Sequence, residues 1–194
     1  MSSFEKLLSY FSKKIPLTKT DETLLMASYK PMLFKKKEFM LKQGDVCKYE
    51  GFVTKGAFRV FYTDEKGLEH VLYFAFENWW VGDISSFYER EPSRLNIQAL
   101  QDSELLVIDY TDKEKTYAEI PALEKVFRII TQKHLTVLQK RFLMTVSANA
   151  EVRYHELLDR CPGIEQLVPQ HQIASYLGIL PESLSRMKKQ LSGK

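Results

Sequence analysis

Three kinds of apolar spacing follow one another along the chain. In the first, Phe4, Leu7, Leu8 and Phe11, then Leu24, Leu25 and Tyr29, recur at steps of three and four, the period of a helix face. Pro16 interrupts the series, and Thr20 or Asp21 is placed to cap a second short helix. From Phe34 to about Tyr110 the pattern changes to short β-type runs: Phe52 and Val53, Phe58 to Tyr62, Val71 to Phe76, Ile97 to Leu100, Leu105 to Ile108. Gly44-Asp45 and Gly56 punctuate them, and Asp64-Glu65-Lys66-Gly67 reads as a hairpin turn whose glycine accepts a positive φ. The lysines at 35, 36 and 37 suit an exposed strand edge or turn. Many short strands with regular turns predict a barrel or double-sheet roll. Phe52, Phe58, Phe61, Tyr62, Tyr73, Phe74, Phe76, Trp79 and Trp80 are candidates to fill its core.

Helical spacing returns after Pro121, which suits a first helical turn. Leu123, Val126, Phe127, Ile130, Leu135, Leu138 and Phe142 recur at three- and four-residue steps, with no proline or glycine before about Val146. The run is about 26 residues, or about 39 Å of helix, more than a small roll can cover. Two placements fit: against its twin in a second copy of the chain, or along its own domain. A further helix, Val152 to Arg160, is stopped by Cys161-Pro162-Gly163.

At 194 residues, 44% hydrophobic and 27% charged, the composition is that of a globular protein with a substantial core, which excludes collagen-like and disordered classes. No run approaches the roughly 20 apolar residues of a membrane helix, and the first residues carry no apolar leader segment. Two cysteines, Cys47 and Cys161, are too few for a disulfide framework or a four-cysteine metal site. The expectation is a cytoplasmic protein with reduced thiols and no membrane partner. The net charge of +3 is uneven. Residues 1–112 are slightly acidic, while Arg186, Lys188, Lys189 and Lys194 crowd the C-terminal end against Glu182 alone. A solvated surface explains such a cluster as well as nucleic acid does, so a structural motif has to decide.

That motif lies between Val168 and Lys189. Gln170 to Leu177 reads as a short helix, with Ala174 small where a second helix must cross. Gly178 permits a sharp turn, and Pro181 starts the next helix, whose Leu184 and Met187 face inward. Glu182, Ser183 and Arg186 then lie outward near its N-terminal half. This is helix-turn-helix spacing, with a second helix able to enter a major groove.

Ile173-Ala174-Ser175-Tyr176-Leu177-Gly178 and Pro181-Glu182-Ser183-Leu184-Ser185-Arg186 resemble the DNA-reading unit of the Crp/Fnr family of bacterial transcription regulators. The resemblance covers nearly the whole chain. The β-rich part with Gly44, Gly56 and Gly67 is similar to the family's effector domain, and the long helix to its dimerisation helix. The fold so implied is α+β: an N-terminal double-stranded β-helix (jelly roll) of the cyclic-nucleotide-binding type over residues 1–120, a dimerisation helix over 121–147, and a helix-turn-helix domain over 148–194. By position, Glu182, Ser183 and Arg186 match base-reading residues; arginine can bond a guanine edge bidentately and glutamate can accept from a cytosine amino group. Gln170, His171, Lys188 and Lys189 are candidates for phosphate contacts, which position without specifying. Pro181 stands where several relatives carry a base-reading arginine, and Leu180 stands where a hydroxyl or Asn/Asp cap is expected. The few residues after Leu191 imply a short or absent wing.

The family's cyclic-nucleotide binders pair Gly-Glu with a later Arg-Ser-Ala step. Here Gly82-Asp83-Ile84 resembles the first part with a shorter carboxylate, and Pro92-Ser93-Arg94-Leu95 displaces the arginine by one position. In a strand one step reverses the face a side chain takes. Val137 and Leu138, beside Thr136, stand where the binders offer hydroxyls to the base. These departures argue against a response to cyclic AMP. No cofactor is expected: two distant cysteines do not make an iron–sulfur site, and His70, His134, His155 and His171 have no supporting haem or metal motif. No nucleophile-and-base arrangement, phosphate-cradling loop or paired-carboxylate site emerges, so an enzyme is not expected. The partners implied are a double-stranded DNA operator, a second copy joined through residues 121–147, RNA polymerase and an unidentified small-molecule effector. Two other readings stay open: a cyclic-nucleotide-like small-molecule-binding module whose DNA contact is incidental, and an effector-independent regulator whose β-domain only holds the dimer.

Overall fold

The computed structural model describes residues 1–192. Lys194, counted in the basic C-terminal end, and the stretch in which the wing is expected to be short or absent lie outside the described residues. Two helices open the chain, α1 (Ser3–Ser12) and α2 (Lys19–Ser28). Thr18, rather than Thr20 or Asp21, caps α2: its Oγ1 accepts from the Asp21 N–H at 3.2 Å, and the Asp21 carboxylate accepts from the Thr18 N–H at 2.8 Å. The reciprocal pair satisfies two helix-end donors at once, which moves the start two residues upstream.

Eight strands follow: β1 (Lys30–Phe34), β2 (Phe39–Leu41), β3 (Tyr49–Lys55), β4 (Ala57–Thr63), β5 (Glu69–Phe76), β6 (Trp80–Val81), β7 (Asn96–Ala99) and β8 (Ser103–Asp109), with helix α3 (Ile84–Glu89) between β6 and β7. They form two antiparallel four-stranded sheets, ordered β1-β8-β3-β6 and β2-β7-β4-β5. The three lysines at 35–37 lie in the exposed link between β1 and β2. Gly56 makes the turn from β3 to β4 possible: its φ is +88°, and a Cβ there would sit 2.2 Å from Ser103 Oγ.

The aromatic residues do not share one interior. Phe58 lies between the sheets with Val53, Val60, Phe87, Ile97 and Val107. Phe52 and Trp80 face outward from the first sheet, into a cluster with Leu7, Phe11 and Tyr29. Phe61 and Phe74 face outward from the second sheet and pack with Leu157, Ile173 and Leu177. Strand alternation puts one residue in and the next out. Both outer faces are covered by helices, so both sets are buried.

Helix α4 (Tyr110–Glu119) follows β8, where the apolar spacing predicts no helix. Its inward residues are Lys113 and Thr116. Lys113 is buried by pairing with Glu50 of β3, by a 2.9 Å bond to the Tyr88 hydroxyl, and by the face of Phe127 at 4.3 Å. The remaining helices are α5 (Ala122–Ser147), α6 (Ala150–Arg160), α7 (Ile164–Leu167), α8 (Gln170–Leu177) and α9 (Pro181–Ser192). The first turns of α5 bury Leu123, Val126 and Ile130 on the first sheet, and every residue from 131 to 140 is exposed in the single chain. Among the described residues no helix is long and apolar enough to cross a membrane.

Candidate nucleic-acid interface

Helices α8 and α9 are built as a bracket. Ala174 is fully buried at their crossing, as is Leu184. Gly178 ends α8 in the left-handed region at φ +68°, with its N–H turned back onto Ala174 and Ser175 carbonyls, the usual way to stop a helix sharply. Pro181 begins α9, and the Leu180 carbonyl takes the Ser183 and Leu184 N–H groups at 3.0 and 3.1 Å. Leu180 offers no side-chain cap, and its side chain is exposed.

The outward face of α9 is polar. Glu182, Arg186 and Lys189 are exposed and Ser183 is half-buried. Arg186 Nη2 lies 3.5 Å from Ser183 Oγ, one turn apart on the same face. Gln170 and His171 are exposed on the first turn of α8. Lys188 sits differently: it is half-buried and ion-paired with Glu165 of α7, which also accepts from the Tyr154 hydroxyl at 2.6 Å. The Lys188 bond, then that of Tyr154, holds the Glu165 carboxyl below its usual value. Lys188 thus ties α9 to α7 in this structure.

The bracket is docked on the roll. Ser175 Oγ donates to the Glu69 carbonyl at 2.6 Å and accepts from the Val71 N–H at 3.0 Å, satisfying the open edge of β5. Tyr176 packs on Phe74 with ring centres 5.5 Å apart.

In the roll, Asp83 caps α3. Its carboxylate accepts from Ser93 Oγ at 2.6 Å and from the Ser86 N–H at 3.4 Å, and Asp83 and Ser93 are both buried. Gly82 precedes this cap and Ile84, the first residue of α3, is exposed. Arg94 is exposed, its guanidinium 5.8 Å from the Tyr62 ring centre. Burial raises the Cys47 thiol above its ordinary value nearby.

Residues 31–119 match the family of the cyclic nucleotide-binding domain. No curated protein matches the chain in sequence. Among solved structures, FixK2 from Bradyrhizobium japonicum is similar at 20% identity, with a TM-score of 0.74 over 85% of each chain. CLP from Xanthomonas campestris, described as a c-di-GMP responsive global regulator, is similar at 15% identity and a TM-score of 0.73, covering 91% of this chain and 92% of that one. A protein of Eubacterium rectale assigned to the crp/fnr family of transcriptional regulators is similar at 17% identity and a TM-score of 0.70, covering 93% and 88%. The fold is that of the Crp/Fnr regulators.

The resemblance read from Ile173 to Arg186 is therefore borne out at the level of the Crp/Fnr fold. That fold gathers Glu182, Ser183 and Arg186 on one exposed helix face, with Lys189 on the same helix, and puts Gly82, Asp83, Ile84 and Ser93 together around the start of α3. It does not bring Arg94 into that group as a buried partner. Two residues with structural weight here, Ser175 and Arg141, carry no sequence signal. Their partners, Val71 and Tyr176, are neighbours only in the folded chain.

Proposed function

We propose that the chain is a homodimeric, sequence-specific DNA-binding transcription regulator of the Crp/Fnr type that acts in the cytoplasm and is not an enzyme. The observation that carries this reading is the exposed polar face of α9, set by the Gly178 turn after α8, in a chain whose long helix α5 leaves its outer apolar residues uncovered. Paired along α5, two copies would present two α9 helices about 34 Å apart to successive major grooves, so the operator should be roughly palindromic. Glu182, Ser183 and Arg186 read base edges; Gln170, His171 and Lys189 bind phosphates, and Lys188 joins them by parting from Glu165. RNA polymerase is the partner through which such a regulator would act.

Arg186→Ala should lose about 1–3 kcal/mol on the selected operator and little on random DNA, whereas Lys189→Ala should weaken both alike and flatten the salt dependence. Anisotropy titrations over a salt series check this; equal losses on both DNAs for Arg186→Ala would remove its base-reading role.

The roll should not respond to cyclic AMP. Asp83 already has Ser93 and Ser86 as partners, and Arg94 lies at the surface. The match of residues 31–119 to the cyclic nucleotide-binding family favours a second reading, a small-molecule module with incidental DNA contact. Thermal unfolding separates the two, because a ligand at 100 times its Kd adds about 2.7 kcal/mol; no shift with cyclic AMP is expected, and a clear one would favour the second reading.

A further inference from the structure

Where α5, α6 and α8 meet, Arg141, Arg153 and Arg160 line one cleft together with Glu156, Leu157 and Tyr176. The cleft measures about 370 Å³, counting the space at its mouth. The acceptors these arginines find within the chain are neutral. Arg141 Nη2 donates to the Val71 and Tyr176 carbonyls at 3.1 and 3.0 Å. Arg153 donates to the Ala148 and Leu177 carbonyls at 2.6 and 3.0 Å, and Arg160 to the Tyr176 hydroxyl at 2.7 Å. Among the described residues no carboxylate lies within ion-pair distance of any of the three. The Nε atoms of Arg153 and Arg160 are buried with no hydrogen-bond acceptor, although the Arg160 side chain also interacts with the Cys161 thiol, a further neutral group.

Buried donors without acceptors and gathered like charges that outnumber their counter-charges are both unfavourable. Burial draws the Arg141 guanidinium below its ordinary value; Tyr176 opposes the fall and the positive charge of Arg160 adds to it. With Glu156 as the one carboxylate in the lining, the wall holds two net positive charges. A phosphate group near pH 7 carries about −1.5 to −2 and three strong acceptor oxygens, and planar guanidinium forks match those oxygens.

We infer that this cleft binds a small phosphate oxyanion, either free inorganic phosphate or the phosphate of a small monoester. An occupant would touch α5, α6 and α8 together. Arg141 would link it to Val71 on β5, so it would stiffen the joint between the roll and the helix-turn-helix. The inference does not depend on DNA reading.

The test is titration calorimetry on the full chain with inorganic phosphate and, separately, glycerol 3-phosphate, at an ionic strength held constant with sodium chloride. Saturable binding at one site per chain is expected, weakened about tenfold or more in Arg160→Gln and in Arg153→Gln, the size of one lost charge-assisted hydrogen bond. Arg160→Lys keeps the charge but not the fork, tests the same site with less risk to folding, and should bind more weakly than the natural chain and more tightly than Arg160→Gln. Binding of both anions would make free phosphate a sufficient ligand; binding of the monoester alone would point to a phosphorylated metabolite. No saturable heat with either anion, or unchanged affinity in the folded variants, would overturn the inference.

Discussion

Between Leu123 and Ile130, α5 is covered: Leu123 and Val126 are fully buried and Ile130 is 8% exposed, in one cluster with Phe11, Tyr29 and Trp80. Between Leu135 and Val146 the helix remains rich in apolar residues, yet Leu138, Phe142, Leu143 and Val146 are each more than 60% exposed. Apolar spacing records a demand for burial; one chain meets it only where a sheet stands opposite. A contiguous uncovered patch of this kind marks an interaction surface more often than chance exposure does, and the outer half of α5 is where the proposed dimer would close.

The contrast can be broken from either end. Leu123→Ala in the covered half should destabilise the fold by about 2–5 kcal/mol, since it opens a cavity in a packed cluster; denaturant unfolding measures it, and a loss below about 1 kcal/mol would mean the site collapses freely. The pair Leu138→Glu and Phe142→Glu should leave the fold of a single chain intact. Sedimentation should then show a monomer, and operator affinity should fall about 100-fold, close to 2.7 kcal/mol. A persistent dimer in that variant would move the interface elsewhere. The smallest effect sharpens the comparison by asking what else positions the outer half. Ser175→Ala removes one donor and one acceptor from the β5 edge and should lower stability by about 1 kcal/mol; no measurable change would leave the Arg141 bonds and the apolar packing on Phe61 and Phe74 as the tether.

A second contrast concerns polar groups. Around Asp83 the serines answer the carboxylate; around Arg153 and Arg160 the Nε donors go unanswered. Sequence resemblance draws attention to the first place and is silent on the second. The first pairs residues ten apart, next to a recognisable glycine. Part of the second joins Arg141 to Val71, 70 residues away, through a backbone carbonyl that any side chain at position 71 would present.

Local chemistry is what the chain states most clearly. The long helix expected from Pro121 to about Val146 runs over Ala122–Ser147, and the turn at Gly178 and the start at Pro181 are where the spacing puts them. Helix α4 is illegible because its inward residues are Lys113 and Thr116, and a lysine reads as solvent-facing until Glu50 and the Phe127 ring are brought beside it. Likewise Lys188 reads as a candidate phosphate contact, and only folding sets Glu165 against it.

By itself, then, the order of residues determined where the long helix, the longer strands and the sharp turns fall and that a polar helix face follows Gly178, because period and turn preference act over a few neighbouring positions. Tertiary structure alone decided that the aromatic residues divide among three clusters, that half of α5 stays uncovered and that three arginines converge with no carboxylate of the described residues within ion-pair distance. Burial and pairing depend on what stands opposite in space, and those partners come from distant parts of the chain.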